Sequence, residues 1–328
     1  MTGVAKRLAR WPQPAFVAVL LLLGLAVFAP GQTTLPASDR DEARFVQASK
    51  QMLESGDYLD IRFQENSRYN KPAGIYWLQA VSAYRIPSWA GAALAMALTA
   101  WALMPLTGAP AAVLAALMMG GAVLLHVEAR IAKTDAMLLA TVLLAQGALA
   151  RIWAAERRGM LTALAFWVAI ALGILLKGPV IALAVLATLI WMMVAERRLP
   201  GRAGLRPGLG LGVLMLLVAP WLVAVSWVSG GAFWAESLGT DMLAKVAAGQ
   251  EAHGAPPGTY LGVFFGTFWP FAILAPWAAV SLWPRRRERS VAFLLGWLVP
   301  TWLVFELIPT KLPHYVLITY PAIAGLIA

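Results

Sequence analysis

Ten apolar runs recur along the chain, near 15–30, 88–106, 109–126, 136–153, 161–176, 179–194, 208–228, 259–283, 291–308 and 315–328. They constrain the fold more than any other feature. A helix needs about 20 mainly apolar residues, within about 17–25, to cross a bilayer. Most of these runs reach or approach that length. Residues 161–194 would form one long run but for Lys177-Gly178-Pro179 at the middle. A lysine at mid-bilayer costs about 2.5–3.5 kcal/mol on insertion scales, and proline disfavours helix at the residue before it, so a turn is predicted there. Composition agrees. The 328 residues are 60% hydrophobic and 13% charged, against about 25% charged in a soluble domain. The fold class expected is an all-α polytopic membrane protein, a single transmembrane domain over 1–328 with about ten spans. There is no cysteine, which excludes disulfides and thiolate metal sites.

The net charge is +10. In a soluble chain that would point to nucleic acid. Here the distribution of basic residues gives another cause, and no nucleic-acid partner is expected. Lys6, Arg7 and Arg10 precede the first run, which reads as an uncleaved signal anchor. With the N-terminus in the cytoplasm, the inner segments hold Lys6, Arg7, Arg10, Arg151, Arg157, Arg158, Arg197, Arg198, Arg202, Arg206, Arg285, Arg286, Arg287 and Arg289. Only Glu156, Glu196 and Glu288 oppose them. The outer segments are balanced, as positive-inside orientation requires. Both ends then lie inside.

This orientation sorts the chemistry. His126, His253, His314, Asp41, Glu42, Asp135, Lys71, Lys177 and Lys311 all fall on the outer side, with the long outer loops 31–87 and 229–258. From Asp41 to Leu53 the first loop is amphipathic, with Phe45, Ala48, Met52 and Leu53 at helical spacing. Ser38 or Asp39 can cap its start and Gly56 end it. It reads as a helix lying on the membrane surface. Asp41 in its first turn has two readings, a helix-terminal charge and a working carboxylate. Lys71 before Tyr76 and Trp77 also fits an interfacial belt. Ionisable residues this close to spans are functional candidates. Glu251 and His253, in a Gly/Pro-rich stretch, could supply two ligands to a metal, or simply be solvated.

Several segments occur in order: D-E-A-R-F (41–45), N-K-P-A-G-I-Y-W-L (70–78), R-I-P-S (85–88), T-D-A-M (134–137), L-K-G-P-V (176–180), A-P-W-L-V-A-V (219–225), F-W-P-F (268–271) and K-L-P-H-Y-V-L-I-T-Y-P-A (311–322). Together they resemble the bacterial branch of the protein O-mannosyltransferase superfamily, which includes the undecaprenyl-phosphate aminoarabinose transferases. The resemblance runs from about 39 to 328. It implies a GT-C fold with amphipathic periplasmic surface helices, and a glycosyltransferase of the bacterial inner membrane. Sugar would pass from a polyprenyl-phosphate donor to lipid A, another glycolipid or a protein on the periplasmic face. It implies that Asp41 and Asp135 are the catalytic carboxylates. Glu42, Arg44, Lys71, Arg85, Lys177, Lys311, His314, Tyr315 and Tyr320 are the implied substrate-binding set, the cations serving the carrier's phosphate. His253 falls where these transferases place a metal-binding histidine, so a divalent metal ion is the one cofactor considered. Asn70 stands where they tend to carry glutamate, and Phe45 where a tyrosine is common. The chain stops at Ala328 inside an apolar run, and is expected to be truncated at its C-terminus relative to the family. Two further readings are a transporter or flippase of a polyprenyl-linked substrate, and a non-catalytic assembly subunit. Transporters place polar groups near the midplane, often in repeated halves; here they lie at one face and no repeat is visible.

Overall fold

The computed structural model describes residues 13–37, 39–154, 159–196, 202–237, 239 and 254–328. In chain order the helices are α1 (Gln13–Phe28), α2 (Arg40–Ser55), α3 (Gly74–Ala80), α4 (Ile86–Thr107), α5 (Ala109–Gly121), α6 (Val123–Glu128), α7 (Asp135–Ala154), α8 (Met160–Lys177), α9 (Val180–Glu196), α10 (Arg202–Leu205), α11 (Pro207–Leu217), α12 (Ala219–Val228), α13 (Ala232–Trp234), α14 (Thr259–Thr267), α15 (Ala275–Leu282), α16 (Arg289–Leu307) and α17 (Tyr320–Ile327). Short 3₁₀ turns at Phe271–Leu274, Trp283–Arg285 and Pro313–Thr319 connect the last of these. Between α2 and α3 a two-residue hairpin pairs Arg62 with Ser67 and Phe63 with Asn66.

Among the described residues, five helical segments are long and apolar enough to cross a membrane: α4, Asp135–Trp153, α8, the consecutive α11 and α12, and α16. The chain is a multi-pass membrane protein. The turn predicted at Lys177 is present. Gly178 follows α8 with φ +70°, a conformation only glycine adopts without strain, and α9 starts at Val180 after Pro179.

Two expectations are corrected. The run 259–283 is not one continuous span: α14 and Phe271–Arg285 are bent by 120° to each other. The break falls at Phe268-Trp269-Pro270, and proline cannot donate to the preceding turn or fit its carbonyl. The second concerns α2, whose buried residues Phe45, Ala48 and Met52 belong to a cluster with Ile61, Tyr69, Ile75, Tyr76, Leu175 and Trp221. Its apolar stripe therefore packs on the protein rather than on lipid, and Leu53 is exposed. Ser49 Oγ donates to Gln79 Oε1 at 2.9 Å and ties α2 to α3.

The main core gathers α1, α4–α9 and the C-terminal helices. Small residues let α4 and α7 pack closely. A Cβ on Gly91 would lie 2.6 Å from Met137 N, and one on Gly147 2.3 Å from the Trp101 ring. Such close approach is the usual basis of helix association in membranes. Gln146 Nε2 donates to Thr188 Oγ1 at 2.8 Å, a buried polar link between α7 and α9. This packing fixes the ends of α7 and α8, where the charged residues gather.

Candidate active site

Helix α2 settles one ambiguity of its sequence. Asp39 is its N-cap, with extended backbone, and its carboxylate accepts from Asp41 N at 2.8 Å. Ser38 lies outside the described residues. Asp41 is therefore relieved of capping. Its side chain is 37% exposed and meets Arg44 Nη1 at 3.4 Å, one turn along. Its neighbour Glu42 points the other way and is buried.

Glu42 and Arg85 form a clamp. Arg85 Nε donates to Glu42 Oε1 at 2.7 Å and Nη2 to Oε2 at 3.2 Å. The rest of the guanidinium reaches the carbonyls of Gln32, Leu35 and Pro36 at 3.2, 2.7 and 2.9 Å. Glu42 Oε1 also accepts from Ala132 N at 3.0 Å. The clamp thus joins the end of α1, the start of α2, the start of α4 and the turn before α7. Ser88 of the R-I-P-S segment holds that same turn, exchanging hydrogen bonds with Lys133 N at 3.3 Å and Lys133 O at 3.1 Å. Beside the clamp lies an open cleft of about 500 Å³, lined largely by apolar atoms of Ala29, Val46, Ile86 and Trp89.

A second cluster forms where α6, α7, α8 and the Pro313–Thr319 turn meet. Asp135, the first residue of α7, is buried and ion-paired to Lys177, the last of α8. Lys177 Nζ also lies 5.3 Å from the centroid of the Tyr315 ring. His314 enters with its side chain 11% exposed, its Nε2 3.9 Å from Asp135 Oδ2 and its Nδ1 3.7 Å from Glu128 Oε1. Asp41 is close enough for its charge to act on His314. Lys133, also buried, pairs with Asp39. Burial opposes charge on Lys133, yet Glu128 and Asp39 raise its pKa above the ordinary lysine value. Burial would raise Asp39, but Lys133 and the Asp41 N–H hold it below the usual carboxylate value. Glu128 is the outlier. Burial, reinforced by the Asp135 charge, pushes its carboxyl up to about 8. Its Oε2 is buried with no hydrogen-bond partner, an arrangement costing about 1–3 kcal/mol.

The structure brings Asp41, Arg44, Asp135, Lys177, His314 and Tyr315 toward one region, and the other described sequence candidates make contacts of their own. Lys71 Nζ donates to Asn70 O at 3.1 Å. Lys311 is buried, donating to Glu306 O and Ile308 O at 2.7 Å each, where it neutralises the carbonyl end of α16. Tyr320 is fully buried, its hydroxyl 2.6 Å from Thr267 Oγ1. Glu42 and Arg85 are committed to the clamp. His253 lies outside the described residues. Sequence reasoning missed Asp39's pairing, Lys133 and Glu128. All three flank segments it had singled out, but only the closed turn 129–134 puts Glu128 beside Asp135.

No family model matches the chain. Curated relatives do. It is 28% identical over 340 residues to the undecaprenyl phosphate-alpha-4-amino-4-deoxy-L-arabinose arabinosyl transferase of Aeromonas salmonicida, covering 98% of this chain and 60% of that protein. A transferase of the same name from Erwinia tasmaniensis is 27% identical over 305 residues, covering 88% of this chain and 54% of that protein. The chain thus spans less than two thirds of the length of these relatives. Among solved structures, ArnT from Cupriavidus metallidurans bound to undecaprenyl phosphate superposes with TM-score 0.82 at 22% identity, over 95% of this chain and 59% of that one. The Archaeoglobus fulgidus oligosaccharyltransferase AglB, in complex with an inhibitory peptide and a dolichol-phosphate, superposes with TM-score 0.63 at 13% identity, over 97% of this chain and 50% of that one. The fold is the polytopic GT-C fold these proteins share.

Proposed function

We propose that this GT-C-fold relative of the undecaprenyl phosphate-aminoarabinose transferases moves a sugar from a polyprenyl-phosphate carrier to a cell-envelope acceptor. It would do so at the periplasmic face of the bacterial inner membrane, among membrane lipids, with its N-terminus in the cytoplasm. The observation that carries the reading is Asp41: a carboxylate spared from capping by Asp39, partly open, and set near a buried cluster of cations. Two neighbours of the fold hold polyprenyl phosphates, which favours that donor class.

In the transfer, the acceptor oxygen bonds to the sugar's anomeric carbon. The bond from that carbon to the carrier's phosphate oxygen breaks, and the phosphate leaves with the electron pair. Arg44 and Lys177, with Lys71, are the cations suited to that anion; charge aimed at a developing oxyanion lowers the barrier directly. If the acceptor is a hydroxyl, Asp41 accepts its proton as general base, for which it must come within about 2.6–3.2 Å. If the acceptor is a phosphate, no proton moves and Asp41 orients it. Asp135 pairs with Lys177 and holds it in place. Charged groups gathered at helix ends suit a site opening to one side, and fit a flippase less well.

The test is transfer of labelled sugar from polyprenyl-phosphate donors, aminoarabinose first, to envelope extracts in membranes bearing wild type or Asp41→Asn at equal expression. Wild type should label lipid A, another glycolipid or a protein, and Asp41→Asn should lose about 10²–10⁴-fold of the rate if the acceptor is a hydroxyl. Equal rates would remove Asp41 from the site. Label on no acceptor with any donor, in membranes where the chain is folded, would end the transferase reading.

A further inference from the structure

We propose that Glu128, Asp135 and His314 form a binding site for one divalent transition-metal cation. It lies within the same cluster as the transferase site but is argued independently of it. The three residues come from different elements: the end of α6, the start of α7 and the Pro313–Thr319 turn. One ligand atom from each lies within 4.8 Å of the others. The imidazole faces both carboxylates, with Nδ1 3.7 Å from Glu128 Oε1 and Nε2 3.9 Å from Asp135 Oδ2.

Those separations are too long for hydrogen bonds, and they use different ring nitrogens, of which one alone can ligate a given ion. Ligands held at about 2.0–2.2 Å from a metal in a tetrahedron lie about 3.3–3.6 Å apart. The trio, with one ligand atom from each residue within 4.8 Å of the others, would draw inward as an ion is bound.

Two further observations point to a cation rather than to a chance gathering of acids. First, Glu128 is 3% exposed and its Oε2 is buried without a hydrogen-bond partner. Second, each nearby lysine already has a carboxylate: Lys133 pairs with Asp39 and Lys177 with Asp135 Oδ1. Asp135 Oδ2 receives only a 3.3 Å contact from the Thr134 hydroxyl, so it can still ligate. One imidazole with two carboxylates suits zinc or manganese(II). Three protein ligands leave a position for water or, on the transferase reading, a phosphate oxygen. His253, the ligand the resemblance would choose, is not among these residues.

The experiment uses the full chain purified in detergent, stripped with chelator and equilibrated with zinc or manganese(II) chloride. Bound metal is counted by elemental analysis and affinity measured by calorimetry. About one ion per chain is expected. Glu128→Gln and His314→Gln should each weaken binding by about tenfold or more, whereas His126→Gln, removed from the trio, should not. Wild type loaded with manganese(II) should show coupling to one imidazole nitrogen in pulsed electron paramagnetic resonance, a reading that needs no variant to fold. The proposal fails if no stoichiometric ion binds. It also fails if the ion survives both substitutions, or is lost only in His253→Gln. None of these readouts involves sugar transfer, so either proposal can fall without the other.

Discussion

The Glu42–Arg85 clamp and the Asp135–Lys177 cluster are both buried carboxylate–cation assemblies at helix ends, yet their polar atoms are satisfied to different degrees. In the clamp, both Glu42 oxygens and three guanidinium nitrogens of Arg85 have close partners, including three backbone carbonyls and one backbone N–H. A planar five-donor fork suits that role. In the cluster, Glu128 keeps an orphaned oxygen and His314 stands off from both carboxylates. Saturated buried charge fixes chain segments in place. Unsatisfied buried polar groups hold free energy that a ligand can release. By this criterion the clamp belongs to the frame, and the cluster is the place where a ligand is expected.

The largest effect that could break the contrast is loss of a clamp partner. Glu42→Ala leaves Arg85 with carbonyls only and Ala132 N without its acceptor. Removing one partner of a buried pair costs about 3–5 kcal/mol. Thermal unfolding in detergent should show a large fall in midpoint. If Glu42→Ala instead abolished sugar transfer with the midpoint unchanged, the clamp would belong to the site and the distinction would collapse.

What the sequence revealed follows the same division. Long apolar runs and the Lys177-Gly178-Pro179 turn are local patterns, and helices lie at those positions. The α2 stripe was legible because helical period, Asp39 and Gly56 agree. The bend at Pro270 was hidden because hydropathy averages over 259–283, and both arms are apolar. The packing of α2 on Ile61, Tyr76 and Trp221 was hidden because an amphipathic period does not say whether lipid or protein covers the stripe. In the cluster, Asp135 and His314 were sorted to the outer face by the charge pattern, and only the resemblance gave them roles. Glu128 was given no role of its own, because a carboxylate seven residues from Asp135 becomes its neighbour only once the chain turns at 129–134. Arg85 and Lys311 show the converse: their charge drew attention, while their backbone-carbonyl partners left no mark in the sequence.

A middle-sized effect sharpens the comparison within α2. Asp39→Ala removes the cap acceptor for Asp41 N and the partner of buried Lys133. Loss of a cap costs about 0.5–2 kcal/mol. Asp41→Ala removes only a partly exposed pair with Arg44, and such pairs contribute about 0–1 kcal/mol. Stability should fall clearly in the first variant and little in the second, while transfer should fall most in the second. The opposite order in unfolding midpoints would make Asp41 the structural residue of the two.

The smallest effect concerns Tyr320, which resemblance assigns to substrate and the structure surrounds with Phe264 and Phe268 at 5.7 and 5.2 Å. Its hydroxyl has one partner, Thr267 Oγ1. That threonine also reaches Val263 O at 2.9 Å, so it keeps a hydrogen bond when the phenol is removed. Tyr320→Phe therefore leaves no buried group stranded, retains the ring packing and loses one net hydrogen bond, about 0.5–1.5 kcal/mol. The unfolding midpoint should drop slightly and the transfer rate should not change. A rate falling at least tenfold with an unchanged midpoint would mean that substrate reaches Tyr320 and that saturation by neighbours does not separate frame from site. An unchanged rate would extend the rule from charged groups to a neutral hydroxyl, where the energies are smallest and the rule has least to draw on.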